Sequence, residues 1–251
     1  MRIQILFIFI YLNLSSLLAD GPIALVTKSR GNAKYKISSE SKFHTNAGVN
    51  TPIFHGNGIK TKAKSFAKIV YLDDRSTVSV YPQTEIIMHG TIENRMINKQ
   101  VDVTEGILRV MVFNQISSKF KLTTPYSELT CHECEFWIIS DKKTGDRFIR
   151  ISGNGLVINS SMSETMELVH DSTIISMKDT EMEISQTPIT ESKYLELLIL
   201  DSDEMPEILV EKLAIKSEIA DQTPETISNI VEIRLKNALN IERKIILIYT
   251  E

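Results

Sequence analysis

Residues 52–86, PIFHGNGIKTKAKSFAKIVYLDDRSTVSVYPQTEI, restrict the fold more than any other stretch of the chain. Lys68-Ile-Val-Tyr-Leu72 leads into Asp73-Asp-Arg-Ser76, and Thr77-Val-Ser-Val-Tyr81 leads out with apolar and polar residues in alternation. Alternation at period two puts one face of a strand on a core and the other toward water. Asp and Ser suit the turn between the two runs because their side chains can bond the neighbouring backbone. Gly56-Asn-Gly58 is a second turn signal upstream, and Pro82 closes the outgoing strand.

The same reading extends along the chain. Ile23 to Thr27 and Ala33 to Ile37 read as a hairpin around Ser29-Arg-Gly-Asn32. Further strands are expected at 85–88, 100–104, 108–113, 119–123, 136–140, 148–152 and 156–159. Turn signals lie between them at His89-Gly90, Glu105-Gly106, Thr124-Pro125, Asp141-Lys-Lys-Thr-Gly145 and Gly153-Asn-Gly155. Many short strands at this spacing predict an all-β domain of antiparallel strands, arranged as a sandwich or stacked ribbon. No helical periodicity interrupts them before about residue 190. Beyond Thr187-Pro188 the pattern changes and predicts a mainly helical, acidic region over 187–251. Its expected parts are a helix at Glu191–Leu200, one from Pro206 to about Ala220, and one begun by Thr223 and Pro224. In the third, Ile227, Ile230, Val231, Leu235, Ala238 and Leu239 share a helical face. Ile245 to Tyr249 reads as a short apolar strand.

The order of motifs resembles the FecR-type periplasmic domain family over roughly residues 21–176. The resemblance rests on Gly58-Ile59, Thr61, the apolar run Ala67 to Leu72, Asp73 to Ser76, Val78-Ser-Val80 and Pro82-Gln-Thr84. It continues through Val101-Asp-Val-Thr-Glu-Gly106, Phe120-Lys-Leu-Thr-Thr-Pro125 and Gly153-Asn-Gly-Leu-Val-Ile158. The family's Arg-Gly-Thr-x-Phe run is replaced here by His132-Glu-Cys-Glu-Phe136, which keeps the Phe and loses the Gly-Thr. In the family this domain is commonly the periplasmic part of a membrane-spanning sigma-factor regulator that takes a signal from an outer-membrane transporter.

Met1-Arg2 followed by IQILFIFIYLNLSSLLA has the charged start, apolar centre and small residue at Ala19 of a secretory signal over residues 1–19. Cleavage there leaves the β-domain at 20–186 and no span; retention of the run as an anchor is the other reading. Only two residues precede the apolar run, so a cytoplasmic regulatory domain is not expected. The net charge of −4 hides an asymmetry: residues 21–130 carry a net +7 and residues 131–251 a net −11. The lysines are scattered rather than gathered into a basic stripe interleaved with aromatics, which argues against nucleic acid as a partner.

Cys131-His-Glu-Cys134 is the one chemically suggestive cluster. A Cys-x-x-Cys pair can form a local disulfide, cycle as a redox site or supply two zinc ligands. A structural zinc site takes four ligands and there is no second Cys pair, while a thioredoxin-like site needs a helix start. In an exported chain the first expectation is therefore structural, a possible disulfide between Cys131 and Cys134 or two packed thiols, and no metal, cofactor or catalytic residue is assigned. His44, His55, His89 and His170 show no metal or catalytic spacing, and HExxH, GxSxG and phosphate-loop motifs are absent. The expectation is an exported, non-catalytic β-scaffold, periplasmic or extracellular, that binds an unidentified envelope or outer-membrane protein, with roles in signalling open to it. A sensor for a small molecule or glycan is the alternative, and a redox protein using Cys131 and Cys134 a third.

Overall fold

Period-two burial organises the chain into strands, and the computed structural model describes them over residues 21–113, 119–169, 172–201, 229–236 and 242–249. Two compact units result, Met1–Thr187 and Pro188–Glu251. The secretory signal expected at 1–19, and His170, lie outside the described residues.

In the first unit the strands are β1 (Ala24–Arg30), β2 (Ala33–Lys36), β3 (Thr45–Asn46), β4 (Pro52–Ile53), β5 (Asn57–Thr61), β6 (Phe66–Tyr71), β7 (Thr77–Val80) and β8 (Glu85–Glu93). They continue as β9 (Met96–Val112), β10 (Phe120–Thr123), β11 (Ser127–Asp141), β12 (Gly145–Asn159), β13 (Thr165–Glu167), β14 (Ser172–Ser176) and β15 (Glu183–Gln186). All of them join one hydrogen-bonded sheet, whose main path runs β15-β14-β12-β11-β10-β9-β7-β6-β1-β4. The all-β class holds, but the sheet is mixed. β10 lies parallel to β9, with Lys121 opposite Gln100, while the other pairings in the sheet are antiparallel.

The stretch that constrains the fold behaves as its pattern demands. β6 and β7 pair with Ala67 opposite Val80 and Ile69 opposite Val78. In the turn, Asp74 Oδ1 accepts from Ser76 N at 2.8 Å and Tyr71 N donates to Ser76 O at 2.9 Å. Ala67, Ile69, Val78, Val80, Leu108 and Val110 are fully buried in one core. Each burial of a Val, Leu or Ile side chain stabilises the fold by about 1.5–3 kcal/mol.

Three expectations are corrected. The segments around Ser29-Arg-Gly-Asn32 do not form a hairpin: β1 pairs with β4 and β6, and β2 with β3 and β5. The glycine signals at Glu105-Gly106 and Gly153-Asn-Gly155 do not end strands. They mark bulges inside β9 and β12, which run 17 and 15 residues. Gly106 (φ 119°) and Gly153 (φ 73°) hold left-handed backbone that lets the strand bend and continue.

The third correction concerns the C-terminal unit. The expected helix at 191–200 is present as α1 (Ile189–Asp201), the single α-helix among the described residues. The helix expected from Pro206 to Ala220 lies outside them. The helix expected from Thr223 is overturned where it is described: β16 (Asn229–Lys236) pairs antiparallel with β17 (Glu242–Tyr249), Ile233 opposite Ile245. The region is thus not mainly helical as described. Val231, Ile233 and Leu235 alternate with Glu232, Arg234 and Lys236, so the segment satisfies period two as well as a helical stripe. Its β-branched residues and the IILIY partner favour the strand.

Candidate functional site

The Cys131-x-x-Cys134 segment sits where three long strands change partners. Cys131 lies opposite Phe120 of β10 and Gly155 of β12, whereas Cys134 lies opposite Val112 of β9 and Gly153 of β12. Between them His132 and Glu133 leave the ladder and are exposed, while both cysteines are buried. A disulfide joins Cys131 to Cys134 and closes the bulge at its neck. Opposite it the bulge in β12 is complementary. A Cβ on Gly153 would collide with the Glu133 carbonyl oxygen and stand 2.6 Å from the Cys134 Cα. The bridged bulge of β11 thus faces a glycine on the next strand.

These bulges flank an open groove of about 740 Å³ lined by Met111, Phe113, Lys119, His132, Leu156 and Glu167, among others. Phe113 is 45% exposed beside it. Glu135, which also lines the groove, accepts at Oε1 from Arg109 Nε and Nη2, with Nε at 2.8 Å, and Arg109 lies over the Trp137 ring. Trp137 continues a buried aromatic row through Tyr81 to Phe66, with ring centroids 4.9 and 5.3 Å apart. The groove is a mixed apolar and charged surface. Neither cysteine has a sulfur free to ligate, and no group of three or more His, Cys, Asp or Glu side chains among the described residues is placed to hold a metal.

Sequence spacing missed a second cluster. His55 and His89, 34 positions apart, meet edge to face with ring centroids 5.1 Å apart. His89 Nε2 is 2.9 Å from Asp102 Oδ2, and Gln100 Nε2 donates to Asp102 Oδ1 at 2.8 Å. His55 Nδ1 is 3.2 Å from the Gly90 carbonyl. The signal lay in the β8–β9 pairing, which sets His89 opposite Gln100, and that pairing was not legible before the fold. The cluster orders the hairpin. His44 stands elsewhere, bonding the Lys42 carbonyl and facing Glu40.

The sheet ends at β15, whose four residues are all exposed. Among the described residues β15 pairs only with β14, Ile174 standing opposite Ile184. Ile184 is 46% exposed.

No family profile and no curated protein matches the chain. Two solved structures from Parabacteroides distasonis, each provisionally described as an anti-sigma factor, are similar to it. A structure at 2.50 Å is 13% identical, covers 77% of this chain and 98% of its own, and superposes with a TM-score of 0.46. A structure at 1.65 Å is 14% identical, covers 77% of this chain and 99% of its own, with a TM-score of 0.43.

Proposed function

We propose that the chain is an exported, non-catalytic β-scaffold of the FecR type that binds a protein of the cell envelope by its sheet edge. The observation that carries this reading is β15. An open edge strand offers a row of backbone donors and acceptors to a further strand. An extended partner segment adding there gains main-chain hydrogen bonds, and side chains such as Ile184 supply selectivity. The secretory pattern of residues 1–19 supports export, and the motif order from Gly58 to Ile158 supports the FecR-type assignment and a role in signalling.

A photoreactive residue placed at Ile184 in cells tests it, with Thr91, exposed on β8, as the control position. A discrete adduct to an envelope protein at 184 and none at 91 is the expected result. Absence of an adduct at 184, or a product that stays in the cytosol on fractionation, defeats the reading.

The groove favours a second reading, a sensor for a small molecule or glycan, with Phe113 as a stacking surface. The redox reading is weakened by burial: Cys131 and Cys134 are 3% and 4% exposed, whereas catalytic thiols need an accessible thiolate.

A further inference from the structure

The Lys99 side chain has no exposure, and it is enclosed by two carboxylates of the β6–β7 turn. Its Nζ lies 2.6 Å from Asp73 Oδ2 and 3.1 Å from Asp74 Oδ2, whose side chains are 3% and 12% exposed. It also donates to the Ile97 carbonyl at 3.2 Å and lies 5.4 Å from the centre of the buried Tyr71 ring. An ion pair sealed from water forfeits hydration that its own attraction repays only with complete hydrogen bonding. Here the bonding is incomplete, since Asp73 Oδ1 and Tyr71 Oη are buried without a hydrogen-bond partner.

We propose that Lys99 and Asp73 condense to an intramolecular amide that crosslinks β9 to the β6–β7 turn, with Asp74 carrying the proton. The two oxygens of Asp73 are differentiated for this reaction. Oδ2 accepts from Ile97 N at 2.9 Å and from Lys99 at 2.6 Å, so it is the oxygen within reach of a proton. Oδ1 has no hydrogen-bond partner and is the oxygen kept as the amide carbonyl. An amine hydrogen-bonded to one carboxyl oxygen stands near the roughly 3–3.5 Å approach from which bonds form. Asp74 is held ionised: burial opposes this, but hydrogen bonds from Ser76 N and Oγ and the charge of Lys99 outweigh it and keep its pKa low.

The balance is that of a dehydration. The Lys99 ammonium passes one proton across its 2.6 Å hydrogen bond to Asp73 Oδ2, leaving a neutral amine and a neutral acid. The amine lone pair attacks Asp73 Cγ, and the carbonyl electrons move to Oδ1. Asp74 takes a proton from the nitrogen and returns it to the Oδ2 hydroxyl. The Cγ–Oδ2 bond breaks, one water departs, the Oδ1 carbonyl re-forms, and Asp74 is again a carboxylate. Nothing is oxidised or reduced and no co-reactant is needed. The product replaces the charges of Lys99 and Asp73 with one neutral amide.

Trypsin digestion of the purified, denatured full chain decides it. If the amide forms, cleavage after Lys99 is blocked. Residues 69–75 and 96–109 are then recovered as one branched peptide, one water lighter than their sum, with fragment ions placing the bond between Asp73 and Lys99. Asp74→Asn, which keeps both reacting residues, is expected to yield the unlinked peptides while folding to the same far-ultraviolet spectrum. Quantitative recovery of free 69–75 and cleavage after Lys99 in the wild-type chain overturns the proposal, whatever the variant does. So does water loss confined to a linear 69–75 peptide, which marks cyclisation at Asp73-Asp74 instead.

Discussion

Thr84 occupies the space into which any side chain at residue 106 would grow: a Cβ on Gly106 would stand 2.5 Å from the Thr84 Cβ. The Thr84 hydroxyl cannot retreat without loss, because its Oγ1 accepts from Ile107 N at 2.8 Å and thereby secures the far side of the same bulge. Gly106 also holds φ at 119°. Gly106→Ala therefore meets backbone strain and overpacking together, and is expected to lower stability by about 2–4 kcal/mol. Gly48→Ala, where nothing lies within 4 Å and φ is unstrained, is expected to change it by less than about 0.5 kcal/mol. Urea denaturation of the two variants checks both.

How far the sequence spoke for itself follows from which interactions were local. The β6–β7 pair was legible because turn chemistry and alternation are contiguous, and Asp141 likewise announced its turn by accepting from Lys143 N and Thr144 N. The turn joining β8 to β9 carries no glycine. Asn94 and Arg95 both adopt left-handed backbone there (φ 50° and 66°), a two-residue turn that Asn-Gly usually signals. At Gly106 and Gly153 a glycine that permits a bulge looks the same in sequence as one that ends a strand. What distinguishes them is the neighbouring segment, Thr84 at the end of the β7–β8 turn in one case and Glu133 of β11 in the other. β16 was misread because one sequence satisfied both periods, and only its partner strand decided between them. His55 meeting His89 depended on strand order, which local sequence does not encode.

Arg109 and Glu135 form a side-chain pair only 11% and 13% exposed, set against the Trp137 ring. Arg109→Met leaves the carboxylate buried without its cation and is expected to cost about 3–5 kcal/mol. Arg109→Lys recovers only part of the loss, since an ammonium supplies neither the two-pronged donation nor the planar stacking of a guanidinium. Pairing Arg109→Met with Glu135→Leu removes the unpaired charge and should restore most of the stability. A double-mutant cycle in which the double variant is as weak as Arg109→Met alone refutes the account.

The disulfide closes a very small ring, Cys131 and Cys134 being three positions apart. Its stabilisation through the unfolded chain is accordingly modest, roughly 2 kcal/mol from loop-closure entropy. Cys131→Ser with Cys134→Ser should lower the urea midpoint by that amount or less while leaving the core strands protected from hydrogen exchange. Increased exchange is expected to be confined to residues near the bulge, around 130–135 and 152–156. Global loss of protection would show that the bridge holds the sheet itself together.

Asp146 supplies the pH dependence. It is fully buried, its Oδ1 accepting from Ser140 Oγ at 2.7 Å and its Oδ2 from Thr124 Oγ1. Burial raises its pKa above the ordinary 3.8, and the hydrogen bonds from Thr124 and Ser140 only partly oppose it. The folded chain thus binds this proton more tightly than the unfolded chain does. The resulting stabilisation is complete below 3.8 and is lost as pH rises through the folded value. Asp146→Asn, which cannot ionise, lacks this dependence. Relative to the variant, the wild-type chain should gain stability as pH falls from about 7 toward about 3, as read from urea midpoints across that range. A difference that stays constant, or runs the other way, would mean that the carboxylate is held charged in the fold.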